Sequence, residues 1–191
     1  MTSTPATRAS RHPSPGKLRV PDTAHWPAAV RSAELRRGSL VPCGPGVRPV
    51  GWPDTPRVRL AALRPWLPTG TIAVFMTAAW VWDACPAPGR PLHVSMAGRR
   101  ARPRTPPLGV RVHQFRAPAT DTVAFGSGAT TTRRRTLCDL LRLSEDFARE
   151  HRLACRVLRL QTAWGDAEIA DALARGPAPH RQRAFERLRE L

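Results

Sequence analysis

Tyrosine is absent from the sequence, lysine occurs once, and acidic side chains are few. The 191 residues contain 14 Asp and Glu against 31 Lys and Arg, so the formal net charge is +17. Apart from Lys17, every basic residue is arginine. Such an excess attracts polyanions and speeds their encounter with the protein. Nucleic acid is therefore the first partner to consider, before a membrane surface or an acidic protein. Codon usage in a GC-rich genome is an alternative origin of the arginine bias.

The positive charge is concentrated in the middle of the chain. Residues 86–135 hold ten arginines and a single acid, Asp121, which gives +9. Residues 1–85 amount to +7, whereas residues 136–191, where ten arginines meet nine acids, amount to only +1. The middle is therefore predicted to face a polyanion, and the last third has the composition of ordinary solvated helices.

Long apolar runs are also missing. The run "TIAVFMTAAWVW" is about half as long as a bilayer span requires, and "MTSTPATRASRHPSPGK" lacks the apolar segment of a signal peptide. The cysteines have neither CxxC nor Cys/His ligand spacing, which favours reduced, partly buried thiols. These features predict a cytoplasmic protein that has no membrane partner. The cysteines are Cys43, Cys85, Cys138 and Cys155.

Patterns of catalytic residues are not evident. A nuclease needs clustered carboxylates to hold a metal, but Asp121 stands alone in the basic middle, and the later acids alternate with arginines as in i,i+4 ion pairs. No nucleophile–base set or glycine-rich phosphate loop is present. The alternating residues around His93 and His113 favour packing across strands over metal binding. We therefore predict a non-catalytic protein with no metal and no cofactor.

The predicted fold class is α+β, in four stretches. Residues 1–20, rich in Ser, Thr, Pro and Arg, are predicted to be a disordered tail. Residues 21–55 are predicted to form an abbreviated winged-helix-like element, in which a short helix from Ala28 to Leu35 precedes the basic turn and strand "RRGSLVP". Residues 56–128 form a mixed α/β middle region, and residues 129–191 a helical C-terminal region. In the middle, Trp80 and Trp82 are expected to be packing anchors, with base stacking as the alternative.

A basic β-hairpin is predicted within the middle region. "PLHVSM" and "GVRVHQF" alternate apolar and polar residues, as strands with one buried face do. The connection "AGRRARPRTPPLG" carries four arginines within six positions, which can contact several phosphates and release their counterions. A proline-stiffened loop of this kind also fits a narrow minor groove; the alternative is a solvated loop without a ligand. The arginines are Arg99, Arg100, Arg102 and Arg104.

The stretch "TTTRRRTLCDLLRL" predicts a helix that begins with three arginines. Its threonines are candidate N-caps, and its leucines recur at helical spacing. Cations at this end oppose the helix dipole. Arg135 lies four residues before Asp139, which predicts a structural ion pair on the helix surface. Arg133 and Arg134 fall beside free backbone N–H groups that favour anions, so we predict that they bind a DNA phosphate.

The order of the motifs is more informative than any one of them. The series "ELRRGSLVPCG", "RVRLAALRPWLP", "MTAAWVWDAC", "GRPLHVSMAGRRARPR", "GVRVHQFRAPATDTV" and "TTTRRRTLCDLLRL" resembles the actinobacterial AbiEi-type antitoxin family, in a short form without a C-terminal nuclease domain. The resemblance runs from Ala33 to about Gly176. It implies a winged-helix DNA-binding domain that represses its own promoter, and a C-terminal part that counters a nucleotidyltransferase toxin in type IV toxin–antitoxin phage defence.

The leading hypothesis is a DNA-binding, antitoxin-like transcriptional regulator. On the family pattern, Arg36 and Arg37 flank the wing, and Arg135 with Asp139 matches the Arg–Asp pair of the family's helix. Leu40 replaces the usual tyrosine of the wing, and a proline-rich tail replaces the first helices. Two alternatives stay open: an interaction module that neutralises the toxin without touching DNA, and a decayed family member. The predicted DNA contacts are Arg31, Arg36, Arg37, Arg99, Arg100, Arg102, Arg104, Arg133 and Arg134.

Overall fold

The computed structural model describes residues 23, 25–96, 108–115, 117–126, 128–143, 147–175 and 180–191. The predicted tail, residues 1–20, and the four arginines of the predicted basic loop, Arg99, Arg100, Arg102 and Arg104, lie outside these residues. Helices and strands are mixed along the chain, which confirms the α+β class. The helices are α1 Ala28–Arg37, α2 Pro56–Leu63, α3 Phe75–Val81, α4 Arg133–Leu143, α5 Arg149–Thr162, α6 Asp166–Ala174 and α7 Arg181–Arg189, and the strands are β1 Leu40–Cys43, β2 Gly46–Pro49, β3 Thr71–Ala73, β4 Leu92–Met96, β5 Val110–His113, β6 Thr122–Phe125 and β7 Gly128–Thr131.

A five-stranded sheet in the order β5-β4-β3-β7-β6 forms the centre of the protein. The alternation of apolar residues located β4 and β5 correctly, but the two strands are parallel, with Leu92 opposite Val110 and Ser95 opposite His113. The predicted hairpin between them is therefore wrong. A parallel pair needs a crossover of about a dozen residues, and the chain between Met96 and Val110 has that length. Alternation reports which face is buried and carries no information on strand direction.

The hairpin of the middle region is formed by β6 and β7 instead. These strands are antiparallel, and their closing pair is Phe125 with Gly128. The chain then passes directly from β7 into α4, so only the last of the three threonines caps the helix: the Thr132 hydroxyl accepts a hydrogen bond from the Arg135 N–H at 3.2 Å. Thr130 and Thr131 belong to β7.

A small antiparallel sheet, β1 with β2, follows α1 and is held against the core. Gly44, in its turn, has φ +57, and a Cβ there would lie 2.7 Å from the Trp80 ring. A Cβ on Gly46 would collide with the carbonyl oxygen of Ala62. The turn of this hairpin is therefore packed closely onto α2 and α3, at positions where glycine removes the side chain that would obstruct it.

Helix α4 is the centre of the helical layer. Its apolar residues Leu137, Leu140 and Leu141 are fully buried, and it packs against α3, α5 and α7. Trp80 and Trp82 of the α3 segment are also buried, which confirms their role as packing anchors. The four cysteines are free and buried, as predicted. No helix among the residues that the structure describes is long and apolar enough to cross a bilayer.

Candidate nucleic-acid interface

Ion pairing is distributed unequally among the arginines. Between residues 25 and 143, every described carboxylate pairs with one of only three arginines, Arg37, Arg59 and Arg135. Several other arginines in the same part of the chain have no described carboxylate within 4.0 Å. Their positive charges are therefore not compensated by a negative charge at ion-pair distance. The pairs are Glu34–Arg37 at 2.6 Å, Asp54–Arg59 at 2.8 Å, Asp83–Arg59 at 2.6 Å, Asp121–Arg135 at 2.8 Å and Asp139–Arg135 at 2.7 Å. The arginines without such a pair include Arg36, Arg48, Arg57, Arg90, Arg133 and Arg134.

Helix α1 carries three of the predicted DNA contacts on an exposed surface. None of its ten residues is buried. Arg36 is exposed, and the Arg37 side chain is 72% exposed although its Nη1 lies 2.6 Å from Glu34 Oε1. Arg31 donates to the Trp26 carbonyl at 2.8 Å. Two arginines in the last turn complement the negative end of the helix dipole, so α1 tolerates its basic character without an acidic partner for each cation.

Three consecutive arginines at the start of α4 each lie over a different aromatic ring. The guanidinium carbon of Arg133 is 4.2 Å from the centre of the Trp82 ring, and that of Arg134 is 4.6 Å from the Trp164 ring. Arg135 lies 5.5 Å from the Phe115 ring. We call Arg133, Arg134 and Arg135 the arginine collar. Each cation–π contact contributes about 0.5–1 kcal/mol at an exposed site, which offsets the roughly 0.3–1 kcal/mol that the helix dipole costs a nearby cation.

Two arginines of the collar, Arg133 and Arg134, have no carboxylate partner. Of these two, Arg133 has the more contacts that fix its side chain. Its Nε donates to Gln161 Oε1 at 3.0 Å, and Gln161 in turn donates from Nε2 to the Trp82 carbonyl at 2.9 Å. The Trp82 indole N–H donates to the Thr131 carbonyl at 2.7 Å, so the ring under Arg133 is itself fixed. The start of α4 is thereby tied to α3 and α5. Arg134 is exposed beyond its contact with Trp164.

Arg135 has a different environment because it bridges two carboxylates. Its Nε lies 2.7 Å from Asp139 Oδ1, and its Nη1 lies 2.8 Å from Asp121 Oδ2. The i,i+4 pair expected from the spacing is present, but its expected position on the helix surface is wrong, since Asp139 is only 1% exposed. Asp139 lies on a different side of α4 from the buried leucines, and every residue from Thr136 to Leu141 is buried. Arg135 therefore joins α4 to Asp121, directly before β6, through a partly exposed ion pair.

Burial dominates the electrostatics of Asp139. Removal from water raises the pKa of its carboxyl to about 6, although the cation of Arg135 favours the ionised form. Within the described residues, Asp139 Oδ2 has no hydrogen-bond partner. One oxygen of this buried carboxylate is therefore satisfied by Arg135, and the other adds to the energetic cost of ionisation.

Sequence reasoning missed Arg59, the third arginine that pairs with a carboxylate in this part of the chain. It is buried between Asp54 and Asp83, its Nη1 donates to the Trp80 carbonyl at 2.7 Å, and its guanidinium lies 5.2 Å from the Trp80 ring. No spacing in the sequence connects these groups. The partners of the collar, Trp82 and Trp164, were also missed, and no local sequence pattern connects them with Arg133 and Arg134.

The histidines on β4 and β5 pack against each other, as expected. His113 Nε2 lies 3.1 Å from His93 Nδ1, and the two rings stack with centroids 5.1 Å apart. Burial, and then the positive charges nearby, lower the pKa of His93 to about 4, so it is neutral at physiological pH. Among the residues with described positions, no three His, Cys, Asp or Glu side chains are placed to hold a metal ion.

A groove of about 340 Å³ runs beside α7 at a distance in sequence from the predicted contacts. Its described lining comes from a single helix and includes cations and an anion: Arg181, Gln182, Phe185, Glu186 and Arg189. All five described lining residues therefore belong to one helix, and four of them are polar or charged.

The predicted contacts lie in two separate groups. Arg36 and Arg37 are neighbours on α1, which packs on β1, whereas Arg133 and Arg134 are neighbours at the start of α4, which packs on α3 and α5. No hydrogen bond, ion pair or ring contact between described residues joins the two groups.

Comparison with family models, curated proteins and solved structures finds no match to this chain.

Proposed function

We propose that this protein is a non-catalytic, DNA-binding regulator of the antitoxin type, which binds duplex DNA at its own promoter. The observation that carries the proposal is the ion-pair distribution: every described carboxylate between residues 25 and 143 pairs with one of three arginines, and Arg36, Arg133 and Arg134 have no described carboxylate within 4.0 Å. Uncompensated arginines on a surface bind phosphates and release the counterions of DNA. The resemblance to AbiEi-type antitoxins supports the same assignment.

Helix α1 is the proposed primary contact. It buries none of its residues, and its C-terminal end presents Arg36 and Arg37. The β1–β2 hairpin acts as a support in this proposal, because Gly44 and Gly46 are packed against Trp80 and Ala62 and the turn is not available to enter a groove. The protein is therefore proposed to use the helix and to keep its short wing against the core.

The arginine collar is the proposed second contact. The Arg133 guanidinium is fixed by Trp82 and Gln161 before any ligand arrives. A side chain that is already ordered loses less conformational entropy when it binds a phosphate. Arg134 adds an exposed cation one residue away. Arg135 is proposed to have a structural role, since its charge is neutralised by two carboxylates.

The proposal is tested by fluorescence anisotropy with a duplex from the protein's own promoter between about 50 mM and about 200 mM salt. The wild-type protein should lose affinity steeply as salt rises, and the double variant Arg36→Ala, Arg37→Ala should show a slope shallower by about 0.9 for each phosphate that is no longer neutralised. A matched control is Arg183→Ala with Arg189→Ala, which removes the same charge from exposed positions of α7. Absent or salt-insensitive binding of the wild-type protein contradicts the proposal.

A protein-interaction module is the second candidate, and helix α5 favours it. Leu153 and Leu160 are 50% and 81% exposed and lie two turns apart on one face, beside the exposed Arg149 and Arg156. This surface suits an acidic partner, such as the nucleotidyltransferase toxin that the resemblance implies. Co-purification of the toxin that is abolished by changing Leu153 and Leu160 to Glu, without any DNA binding, would favour this candidate. Absence of both activities in the wild type corresponds to a decayed family member.

A further inference from the structure

Ser39 is an exposed hydroxyl that follows directly on two of the proposed DNA contacts. The chain reads Arg36-Arg37-Gly38-Ser39, with Ser39 exposed at the junction between α1 and β1. Arginines three and two residues before a serine match the acidic substrate clefts of arginine-directed protein kinases, because each guanidinium can pair with a carboxylate of the enzyme. The hydroxyl is thus placed beside the charges that such an enzyme recognises.

The surroundings of Ser39 can open at low cost. A kinase binds its substrate as an extended segment, so the end of α1 must unwind for Ser39 to react. Helix α1 buries no residue, and it ends at Gly38, which has φ 77 in the left-handed region. Segments with few buried contacts open locally at a small fraction of the global unfolding free energy. Unwinding of the last turn of α1 therefore exposes no buried side chain of that helix, while Leu40, directly after Ser39, stays buried in β1.

The hydroxyl of Ser39 closes the end of α1 through Glu34. It donates its single proton to the Glu34 carboxylate, and its oxygen lies 3.1 Å from the Glu34 carbonyl oxygen, to which the Ser39 N–H donates at 3.1 Å. A phosphate in place of the hydroxyl has no proton to donate and carries roughly −1.5 to −2 charges. It would repel Glu34 and attract Arg36 and Arg37, the cations that the proposed function assigns to DNA.

We propose that Ser39 is a phosphoryl acceptor for an arginine-directed serine/threonine kinase, and that phosphate at Ser39 weakens the binding of α1 to DNA. The second half of this inference depends on the proposed function, and the first half does not. In the transfer, Ser39 Oγ attacks the γ-phosphorus of ATP and the bond from that phosphorus to the bridging oxygen breaks. ADP leaves with the electron pair, and the hydroxyl proton passes to the kinase's catalytic carboxylate.

The chain contains a matched control for access. Thr136 follows Arg133, Arg134 and Arg135, so it has the same two arginines at the same distances. Its side chain is 0% exposed, and its hydroxyl is 2.7 Å from the Thr131 hydroxyl and 2.8 Å from the Thr132 carbonyl. The two sites share this arginine spacing and differ in burial. Because the acceptors also differ as serine and threonine, the Thr136→Ser variant is treated beside the wild type; phosphate on Ser39 and none at position 136 of either protein reports on the structure around the acceptor.

The first arm of the test measures modification alone. The full chain is incubated with a purified arginine-directed serine/threonine kinase and ATP, and phosphorylated positions are located by mass spectrometry. We expect phosphate at Ser39, none at Thr136, and loss of the Ser39 signal in the Arg36→Ala, Arg37→Ala variant. Phosphate confined to other positions, or incorporation at Ser39 that is unchanged in this variant, overturns the assignment of the acceptor.

The second arm measures DNA binding by the phosphorylated and unmodified chains. A phosphate at Ser39 that pairs with Arg36 and Arg37 keeps these two side chains from contacting DNA. The affinity for DNA should then fall roughly tenfold or more at moderate salt, and the slope of its salt dependence should decrease by about 0.9 for each arginine. Equal affinities overturn the regulatory half of the proposal. The Ser39→Ala variant, treated with kinase in the same way, should keep its affinity. Failure of the unmodified chain to bind DNA contradicts the proposed function, whereas the first arm still decides whether Ser39 is the acceptor.

Discussion

The guanidinium of Arg133 lies 4.2 Å above the ring of Trp82, although the two residues belong to different helical segments. The same guanidinium is hydrogen-bonded to Gln161 of α5, whose amide donates to the Trp82 carbonyl. Three elements thus meet at one arginine. This arrangement gives the first residue of α4 a packing role that is separate from any role in binding a polyanion.

Replacement of Arg133 by Ala should therefore reduce stability, an effect separate from the proposed contact of Arg133 with DNA. Removal of the cation–π interaction with Trp82 predicts a decrease of about 0.5–1 kcal/mol in the free energy of unfolding, measured by urea denaturation. Arg133→Lys keeps the charge but loses the planar guanidinium, so it should recover only part of that stability. An Arg133→Ala variant as stable as the wild type would remove the structural role from Arg133.

Replacement of Arg135 by Gln should be the most destabilising change in the collar. It leaves the buried carboxylate of Asp139 without its cation, and breaking a buried pair from one side costs about 3–5 kcal/mol. The double variant Arg135→Gln, Asp139→Asn removes the uncompensated charge and should be more stable than the single variant. A double-mutant cycle by chemical denaturation measures the coupling. Additive effects of the two substitutions would contradict direct pairing.

The stability of the protein should depend on pH through Asp139. Its pKa in the folded protein is raised to about 6 from an ordinary value of 3.8. The stability that the neutral carboxyl contributes is therefore fully present below about pH 4 and is lost as pH rises through about 6. A shift of this size corresponds to about 3 kcal/mol. His93, whose pKa burial lowers to about 4, contributes with the opposite sign over the same pH range. The contribution of Asp139 is therefore read from the difference between the unfolding free energies of the wild type and Asp139→Asn, which should change in favour of the variant as pH rises from about 4 through about 6.

Substitution of Gly46 by Ala should disturb the packing of the β1–β2 hairpin on α2. The new methyl group would collide with the Ala62 carbonyl oxygen, which is backbone and has little room to move. Overpacking of this kind costs about 1–3 kcal/mol. Gly51→Ala is the matched control, since a Cβ at Gly51 meets nothing within 4 Å. Thermal unfolding of both variants tests the prediction, and equal melting temperatures would argue against close packing of the hairpin.

Local patterns in the sequence predicted where helices and strands lie better than they predicted which of these elements pair or pack with one another. Periodicity located α4, and alternation located β4 and β5, because both patterns follow from burial of one face. Strand direction did not follow, since Leu92 and Val110 have the same alternation in a parallel or an antiparallel pair. The charge pattern likewise predicted the Arg135–Asp139 pair, but not the burial of Asp139, which depends on helices that pack from elsewhere in the chain.

The aromatic partners of the arginine collar could not be predicted from the sequence either, because they also depend on contacts between distant parts of the chain. Trp82 and Arg133 are far apart in the sequence, and no local rule connects an arginine at a helix start with a ring in another element. The sequence did reveal that the arginines of α4 oppose the helix dipole. From that conflict we predicted a bound phosphate that offsets the cost, whereas the structure places the rings of Trp82 and Trp164 beside Arg133 and Arg134.

The parallel pairing of β3 with β7 has a consequence for how the protein folds. Ala73 and Thr130 are partners in this pairing and are separated by 57 residues. Closing so long a loop carries a large entropic cost before the pairing can form, and chains rich in such distant pairings fold slowly. During synthesis, β3 emerges well before β7 and has only β4 as an early neighbour in the sheet. The second edge of β3 is paired when β7 arrives, so the strand that leads directly into the arginine collar is also the one that completes the central sheet.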